Sequence, residues 1–473
     1  MSDNLKKLFS DHFDEQVTSF EPLAAHGSNR QYSRIKSDKR SVIGVTNADR
    51  LENEAFIDFS RHFRKKGLAV PEIYAEDLDD NVYLEEDLGD ETLFDYLQTV
   101  RGGKKEFPDE LLAVYEQVVD RLPEFQIKGG EGLDYSKSYP HHSFDRQSMM
   151  WDLNYFKYYF LKLAHVQFNE QKLEADFKTF IDFLLSADSD HFLYRDFQSR
   201  NVMLKDGKPW FIDYQGGRRG ALQYDIASLL FDAKADLPFE VREKLLDRYL
   251  SAAEKLIPID REAFTKHYYA FVYIRIMQAM GAYGYRGFYE RKTHFLQSIP
   301  YAIQNLEYLV QKVDLPVELP AMMDVFQQLI RSSALREFGK ANLRLKVRIV
   351  SFSYKHGVPV DNRGHGGGFV FDCRFLPNPG RDIVYKQLTG NDPEVIEWFA
   401  DKPDMDRWLK RVYNMVDAAV NSYQEQNFTD LMVSFGCTGG QHRSVHSANR
   451  LAAHLQETHD VDVVLSHREL DEA

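Results

Sequence analysis

Apolar positions along this 473-residue chain repeat at helical spacing in long blocks and alternate over shorter ones. Residues 17–20, 32–35 and 41–45 read as short strands, separated by a Gly27-Ser28-Asn29 turn and an Asp38-Lys39 turn. Phe56, Phe59 and Phe63 then predict a helix over about 50–66, with Gly67 as its stop. Residues 82–85 read as a strand, and 91–97 begin another helix. The blocks 108–186 and 236–312 are helical in pattern, as in Leu153, Phe156, Phe160 and Leu163. A strand-like stretch, 191–215, lies between them. The expected outcome is a small β-rich lobe, a connector and a larger helical lobe.

The texture changes after about 315. A turn around Pro316 and Pro320 leads to one polar helix and a basic segment, Arg344-Leu345-Lys346-Val347-Arg348. Strands are expected at 347–353, 369–373, 430–436 and 461–466, with helices at 393–399, 404–425 and 443–457. Alternation of this kind predicts an α/β layer domain. The boundary falls near 335, giving domains 1–335 and 345–473.

Hydrophobic residues at 43 % and aromatics at 14 % supply ample core material, which excludes global disorder. A formal charge of −14 argues against a general nucleic-acid or anionic-membrane binder. Only two cysteines occur, Cys373 and Cys437, so no disulfide framework is expected and a reducing compartment fits. The N-terminus has mixed charge rather than the pattern of a signal peptide. The richest apolar stretch, 271–282, is broken by Arg275 and Gln278. These features predict a cytoplasmic protein with no membrane partner, and they leave its oligomeric state open.

Residues 194–213 carry the chemistry. Tyr194-Arg195-Asp196-Phe197-Gln198-Ser199-Arg200-Asn201 fits the R-D-x-x-x-x-N loop of kinases, and Asp213 sits where a metal-binding Asp belongs. An Asp206-Gly207 turn between 202–204 and 210–212 predicts a hairpin. Pairing outward sets Lys205 opposite Lys208, Met203 opposite Trp210 and Asn201 opposite Ile212. Asn201 and Asp213 then become neighbours, roughly 4.5–5.5 Å apart as opposed residues are, a span suited to two oxygen ligands sharing Mg²⁺. Asp196 can face an acceptor hydroxyl as base. Pro209 must take an edge or non-bonded position.

With these residues in hand, the first 335 positions resemble the aminoglycoside-phosphotransferase/choline-kinase family. The likeness is nearest to kinases of the anomeric hydroxyl of N-acetylmuramate and N-acetylglucosamine. It includes Gly27-Ser28-Asn29-Arg30 and the following Gln31 to Arg34, Leu68-Ala69-Val70-Pro71, Leu84-Glu85-Glu86-Asp87-Leu88-Gly89 and Tyr224-Asp225-Ile226-Ala227. The resemblance implies a bilobal, protein-kinase-like α+β fold that uses ATP and Mg²⁺. It implies Asp196 as base and Asn201 and Asp213 as metal ligands. Gly27, Ser28, Asn29 and Arg30 would cover the phosphates, and Glu86 and Leu88 would meet adenine. Asp225 would anchor the loop. Tyr194 stands where the family usually has His. The strand 41–45 lacks the family's Lys, with Gly44 near its place, which leaves Glu54 on the next helix without a partner. A sugar acceptor would be met by Asp145, Gln147, Trp151, Asp152, Asn154, Arg218, Tyr283 or Arg286.

In the second domain, Phe435-Gly436-Cys437-Thr438-Gly439-Gly440-Gln441-His442-Arg443-Ser444 links a β-run to a helix. Such a turn offers N–H groups and a helix N-terminus to an anion. The Cys437-to-Arg443 spacing also fits the C-x₅-R loop of cysteine phosphatases. However, Gly436 replaces that loop's His and no general-acid Asp loop is evident. Residues 346–470 resemble the C-terminal domain of RapZ, an adapter sensing glucosamine-6-phosphate. The matching segments are 351–357, 371–379, 388–390, 436–444 and 467–470. The resemblance implies an amino-sugar-phosphate site of Lys355, Asp372, Arg374, Asn378, Cys437, Thr438, Gly439, Gly440, His442 and Arg443. Residues 362–368 read as a lid or a linker. RapZ carries a P-loop domain, and this chain has no G-x-x-x-x-G-K-[ST].

Overall fold

The computed structural model describes residues 2–23, 30–102, 107–338, 345–360, 368–425, 428 and 430–471. The expected phosphate-covering residues Gly27, Ser28 and Asn29 lie outside these, as does the 362–368 loop apart from Gly368. The chain forms two compact units, Met1–Gly281 with Tyr301–Ser333, and Ala282–Pro300 with Ala334–Ala473. Among the described residues, no helix is long and apolar enough to cross a membrane.

The first unit opens with a five-stranded antiparallel sheet of β1 (Ser19–Pro22), β2 (Gln31–Lys36), β3 (Ser41–Thr46), β4 (Ile73–Asp77) and β5 (Val82–Glu86). Their order is β1-β2-β3-β5-β4. Alternation assigns its two faces. Ile35, Val42 and Leu84 pack beneath Leu5 and Phe9 of the helix Ser2–Phe13, an element the periodicity did not indicate. On the other face, Tyr83 meets Phe56 of the helix Arg50–Lys65 at 5.6 Å. That helix starts where Asp49 accepts the Glu52 N–H and stops at Gly67, whose φ of +78° few other residues adopt.

Two small sheets join this lobe to the helical one. β6 (His191–Leu193) pairs with β9 (Arg218–Gly220), and β7 (Val202–Lys205) pairs with β8 (Lys208–Phe211). The second pair has the expected register, Lys205 opposite Lys208 and Met203 opposite Trp210. Asp206 and Gly207 both take positive φ, 53° and 69°, as a type I′ turn requires. The Ile212 N–H reaches Asn201 O at 3.1 Å and extends the hairpin by one step. Pro209 is buried opposite Leu204 on this two-stranded ribbon. The helices Asp109–Pro123, Glu170–Leu184, Phe239–Ala253 and Arg261–Tyr283 form the helical lobe, each burying a stripe such as Leu111, Tyr115, Val118 and Leu122.

The second unit is a parallel sheet of β10 (Lys346–Ser353), β11 (Phe369–Asp372), β12 (Asp430–Cys437) and β13 (Asp462–His467), in the order β11-β12-β10-β13. β12 is buried along its whole length, as a central parallel strand should be. Val347, Ile349, Val433 and Phe435 pack with Leu409, Val412, Val416 and Leu451 of the helices Pro403–Glu425 and Arg443–Thr458. The carboxyl ends of parallel strands face one crevice, where ligands of open α/β sheets bind.

Gly217, between the β7–β8 hairpin and β9, tests the packing. A Cβ there would lie 2.3 Å from the Phe192 ring and 2.8 Å from Tyr214 O. Gly217→Ala should destabilise the first unit by about 1–3 kcal/mol, read as a lower midpoint of thermal unfolding.

Candidate active site

The open end of the β7–β8 hairpin gathers the three predicted residues. Asn201 Nδ2 donates to Asp213 Oδ2 at 3.0 Å and to the Asp196 carbonyl at 2.8 Å. With both amide protons spent, Asn201 keeps its Oδ1 as an acceptor. Asp213, at φ 68°, receives Gln215 Nε2 on its other oxygen at 2.7 Å. Burial, then the negative charge of Asp196, pushes the Asp213 carboxyl above the usual carboxylate range. Gln215 Oε1 is buried beside it with no partner. This donor set, an amide oxygen and a carboxylate next to a second acid, fits a hard divalent cation.

The loop bearing Asp196 hangs from Asp225. That fully buried carboxylate accepts the N–H groups of Tyr194 (2.8 Å) and Arg195 (3.0 Å) and the Gln126 amide (2.9 Å). Burial pushes its pKa up to about 7 against the pull of these donors. Arg195, at φ 84°, grips Asp152 in a two-pronged pair at 2.8 and 2.6 Å. Tyr194 is a buried prop whose hydroxyl donates to Ile212 O at 2.6 Å. Arg218 is also buried, with its Nε on Gly216 O at 3.0 Å. Burial and the charge of Arg195 lower its pKa to about 10.

Of the other acceptor candidates, Asp145 is spent capping a helix through the Ser148 N–H. Trp151 is exposed, edge-on to His141. Tyr283 and Arg286 fall in the second unit. At the segment expected to meet adenine, the Glu86 N–H is taken by Glu72 O at 2.9 Å and its carboxylate holds Lys205 at 2.8 Å. Leu88 follows, buried and beyond the strand, beside Asp87, which Arg34 clamps at 2.8 Å. A cavity of about 640 Å³ lies behind the hairpin, lined by Leu68, Phe125, Pro209, Trp210 and Leu256 among others, but by none of the three catalytic candidates.

In the second unit, the turn after β12 is pinned from inside. Gly440 takes φ +68° against Glu469, and Ser353 Oγ donates to Thr438 O at 2.8 Å. Cys437 Sγ lies 3.2 Å from Ser444 Oγ. Burial raises its pKa, but Ser444, Arg443 and the Gly440 N–H outweigh this and leave the thiol below its usual range. Two expected ligand contacts are turned inward. Arg443 is buried and donates to Arg374 O (2.5 Å) and Leu376 O (3.3 Å), and His442 Nε2 meets Tyr385 O at 2.9 Å. Asn378 Oδ1 accepts the Gly380 N–H. Lys355, Arg374, Thr438 and Gly439 are exposed around the turn, with Arg374 paired to Asp372 at 2.6 Å and lying over Tyr354.

Two family profiles match the chain. The profile of the phosphotransferase enzyme family covers residues 19–264, more than half its length. The chain belongs to the phosphotransferase enzyme family. The RapZ C-terminal domain matches residues 345–471. Curated relatives include a nucleotide-binding protein of Nitrosomonas europaea, 38 % identical over 150 residues that cover 30 % of this chain and 50 % of that one. Another, of Thermotoga neapolitana, is 33 % identical over 38 % of this chain and 64 % of its own. The chain thus spans about half to two-thirds of these relatives' length. Among solved structures, a choline kinase of Streptococcus pneumoniae aligns with 14 % identity and a TM-score of 0.40, covering 70 % of this chain and 97 % of that one.

The family's strand lysine is absent from the phosphotransferase unit, but a cation is present. Gly44 does not mark its place. A Cβ there would meet Ile35 and Leu5 at 2.7 and 3.0 Å, on the face away from the cleft. Arg30, nine-tenths and more buried, instead reaches Glu52 at 3.4 Å and stacks on Phe56. Burial opposes its charge, yet Tyr83, Tyr32, Glu52 and Asp213 hold its pKa above the ordinary range. The acid on the helix is therefore Glu52, which also accepts from Gln215, whereas Glu54 pairs with Arg50 at the surface. Sequence reasoning missed Glu52, Gln215 and Glu85, since only the fold shows which helix face meets the hairpin.

Glu85 gives a pH test. It is buried with Oε2 unpartnered, and burial, against the opposing charge of Arg30, pushes its pKa up to about 8. The folded state keeps this proton over a range where an unfolded glutamate has lost it. Its contribution is therefore full below the ordinary glutamate range and is lost as pH rises through 8. Glu85→Gln should match the parent near pH 4.5. It should gain on it by up to about 1.4 kcal/mol per pH unit toward pH 8, read by urea unfolding at stepped pH.

Proposed function

We propose that this chain is an ATP-dependent kinase of a sugar hydroxyl, acting in the cytoplasm on the anomeric hydroxyl of an N-acetylated amino sugar. The observation carrying this reading is the triad at the hairpin end, with Asn201 and Asp213 joined at 3.0 Å and Asp196 held just upstream. Asn201 Oδ1 and Asp213 would hold Mg²⁺, which when bound neutralises phosphate charge. Asp196 takes the proton of the acceptor hydroxyl as its oxygen meets the γ-phosphorus. Arg30, propped by Glu52, faces the phosphates in place of the strand lysine, and Leu88 offers backbone groups to adenine. Asp152 and Arg218, beside the base, orient the acceptor.

The second unit binds an amino-sugar phosphate at the carboxyl ends of its strands. Exposed Lys355, Arg374, Thr438 and Gly439 make the contacts, while Arg443, His442 and Asn378 fix the loops behind them. A second reading, a nucleotide-binding sensor without turnover, is favoured by the lysine-free β3 and by the names of the curated relatives.

The test is ADP release with Mg-ATP and free N-acetylmuramate or N-acetylglucosamine. Sugar-dependent turnover should appear and fall about 10²–10⁴-fold in Asp196→Ala. Turnover no higher than in this variant would leave only the sensor reading. For the second unit, titration calorimetry with glucosamine-6-phosphate should give heat that Lys355→Ala and Arg374→Ala each reduce. Equal heats from all three proteins would reject the site.

A further inference from the structure

The chain's only two cysteines stand side by side. β11 pairs with β12 through Phe371 opposite Phe435 and Asp372 opposite Gly436. The Cys373 N–H then donates to Gly436 O at 2.7 Å, which carries the parallel ladder one residue on and sets Cys373 opposite Cys437. Paired residues on parallel strands project to the same face. On this face the rings of Phe371 and Phe435 stack at 5.4 Å, and both cysteines belong to the same buried cluster. Both sulfurs also reach one side of the helix Arg443–Thr458. Cys437 Sγ meets Ser444 Oγ at 3.2 Å, and Cys373 Sγ meets Ser447 Oγ, three residues on, at 3.8 Å. Adjacent strands run roughly 4.8 Å apart, inside the roughly 4.4–6.8 Å between Cα atoms that a disulfide accepts.

We propose that Cys373 and Cys437 are a dithiol–disulfide pair, closed by a hydroperoxide and reopened by a thiol reductant. The two thiols are unequal. Despite burial, the Ser444 hydroxyl and N–H, Arg443 and the Gly440 N–H favour a Cys437 thiolate, whereas burial pushes the Cys373 thiol up. Cys437 is therefore the attacking sulfur and Cys373 the resolving one. The approach runs past exposed Thr438 and Gly439, where a Cβ on Gly439 would meet nothing within 4 Å.

In the first step the Cys437 thiolate attacks a peroxide oxygen and the O–O bond breaks. The leaving oxygen takes a proton as water or an alcohol, and Cys437 becomes a sulfenic acid. Cys373 sulfur then attacks that sulfur, the S–O bond breaks, and water leaves with the Cys373 proton. Two thiols and one hydroperoxide thus give one disulfide, one alcohol or water, and one further water. The reaction removes negative charge from the base of the glycine turn.

The test treats the full chain with hydrogen peroxide at neutral pH, counts free thiols after unfolding and maps peptides by mass. Free thiols should fall from two to none, with a 373–437 cross-link that dithiothreitol reverses. In Cys373→Ser, or in Cys373→Ala should serine disturb the core, Cys437 should instead gain one or more oxygens. The proposal is overturned if the parent keeps both thiols, cross-links between chains, or over-oxidises Cys437 as fast as these variants.

Discussion

The buried carboxylate of Asp225 fixes the geometry on which the phosphotransferase unit depends. Two consecutive backbone N–H groups, of Tyr194 and Arg195, converge on it, and Gln126 supplies a third donor. Consecutive amides can share one acceptor only if the chain bends sharply, and the bend appears as the φ of 84° at Arg195. That conformation costs on the order of 1–3 kcal/mol, which the buried hydrogen bonds offset. Its product is the orientation of Asp196, the next residue. The side chain of Arg195 closes the other side of the bend through Asp152, so Asp196 is held between two ion-paired or hydrogen-bonded anchors. Neither anchor has to touch substrate to matter.

The same logic governs charge in the cleft. Asp196, Asp213, Glu52 and Glu85 are acids brought together with one buried arginine from β2's approach, Arg30. Burial raises the Asp213 and Glu85 carboxyls, and one guanidinium cannot neutralise four carboxyls. The result is a buried neutral Glu85 and a carboxyl at Asp213 that is pushed upward. A site with surplus negative charge and an amide oxygen among its acceptors suits cationic charge from outside the chain. On the proposed reading, a magnesium–nucleotide complex would bring that charge together with the phosphates it screens.

Much of this was legible in the residues. The Asp206-Gly207 pair dictated a turn with both φ values positive, and alternation on either side dictated the register, so Asn201 and Asp213 could be set together by counting. The central strand of the second unit was equally plain, because an apolar run before a glycine-rich turn has few other folds available. What could not be read was direction. Whether Gly44 or its neighbours faced the cleft depended on the helix Ser2–Phe13, whose single apolar stripe at Leu5 and Phe9 is short and lies among charges. Whether Glu52 or Glu54 faced the hairpin depended on the rotation of a helix about its own axis. The family pattern pointed to a missing lysine, while a buried cation, Arg30, stands just before β2.

The glycine turn of the second unit shows the limit from the other side. Its pattern specifies backbone, since Gly440 at φ +68° and a helix start at Arg443 follow from residue type alone. It does not specify what the flanking cations do. Arg443 is adjacent to the turn and invites the reading of an anion contact, yet its Nη1 already donates to the carbonyls at 374 and 376, and its Nε is buried without a partner. A guanidinium fixed in this way still acts on the turn, because its charge lies close enough to lower the Cys437 thiol. Its influence is electrostatic at short range and structural through the β11 loop, where Arg374 is exposed. A residue in a turn of anion-binding type can therefore brace the loops around it rather than face outward. Only hydrogen-bond partners distinguish the two roles.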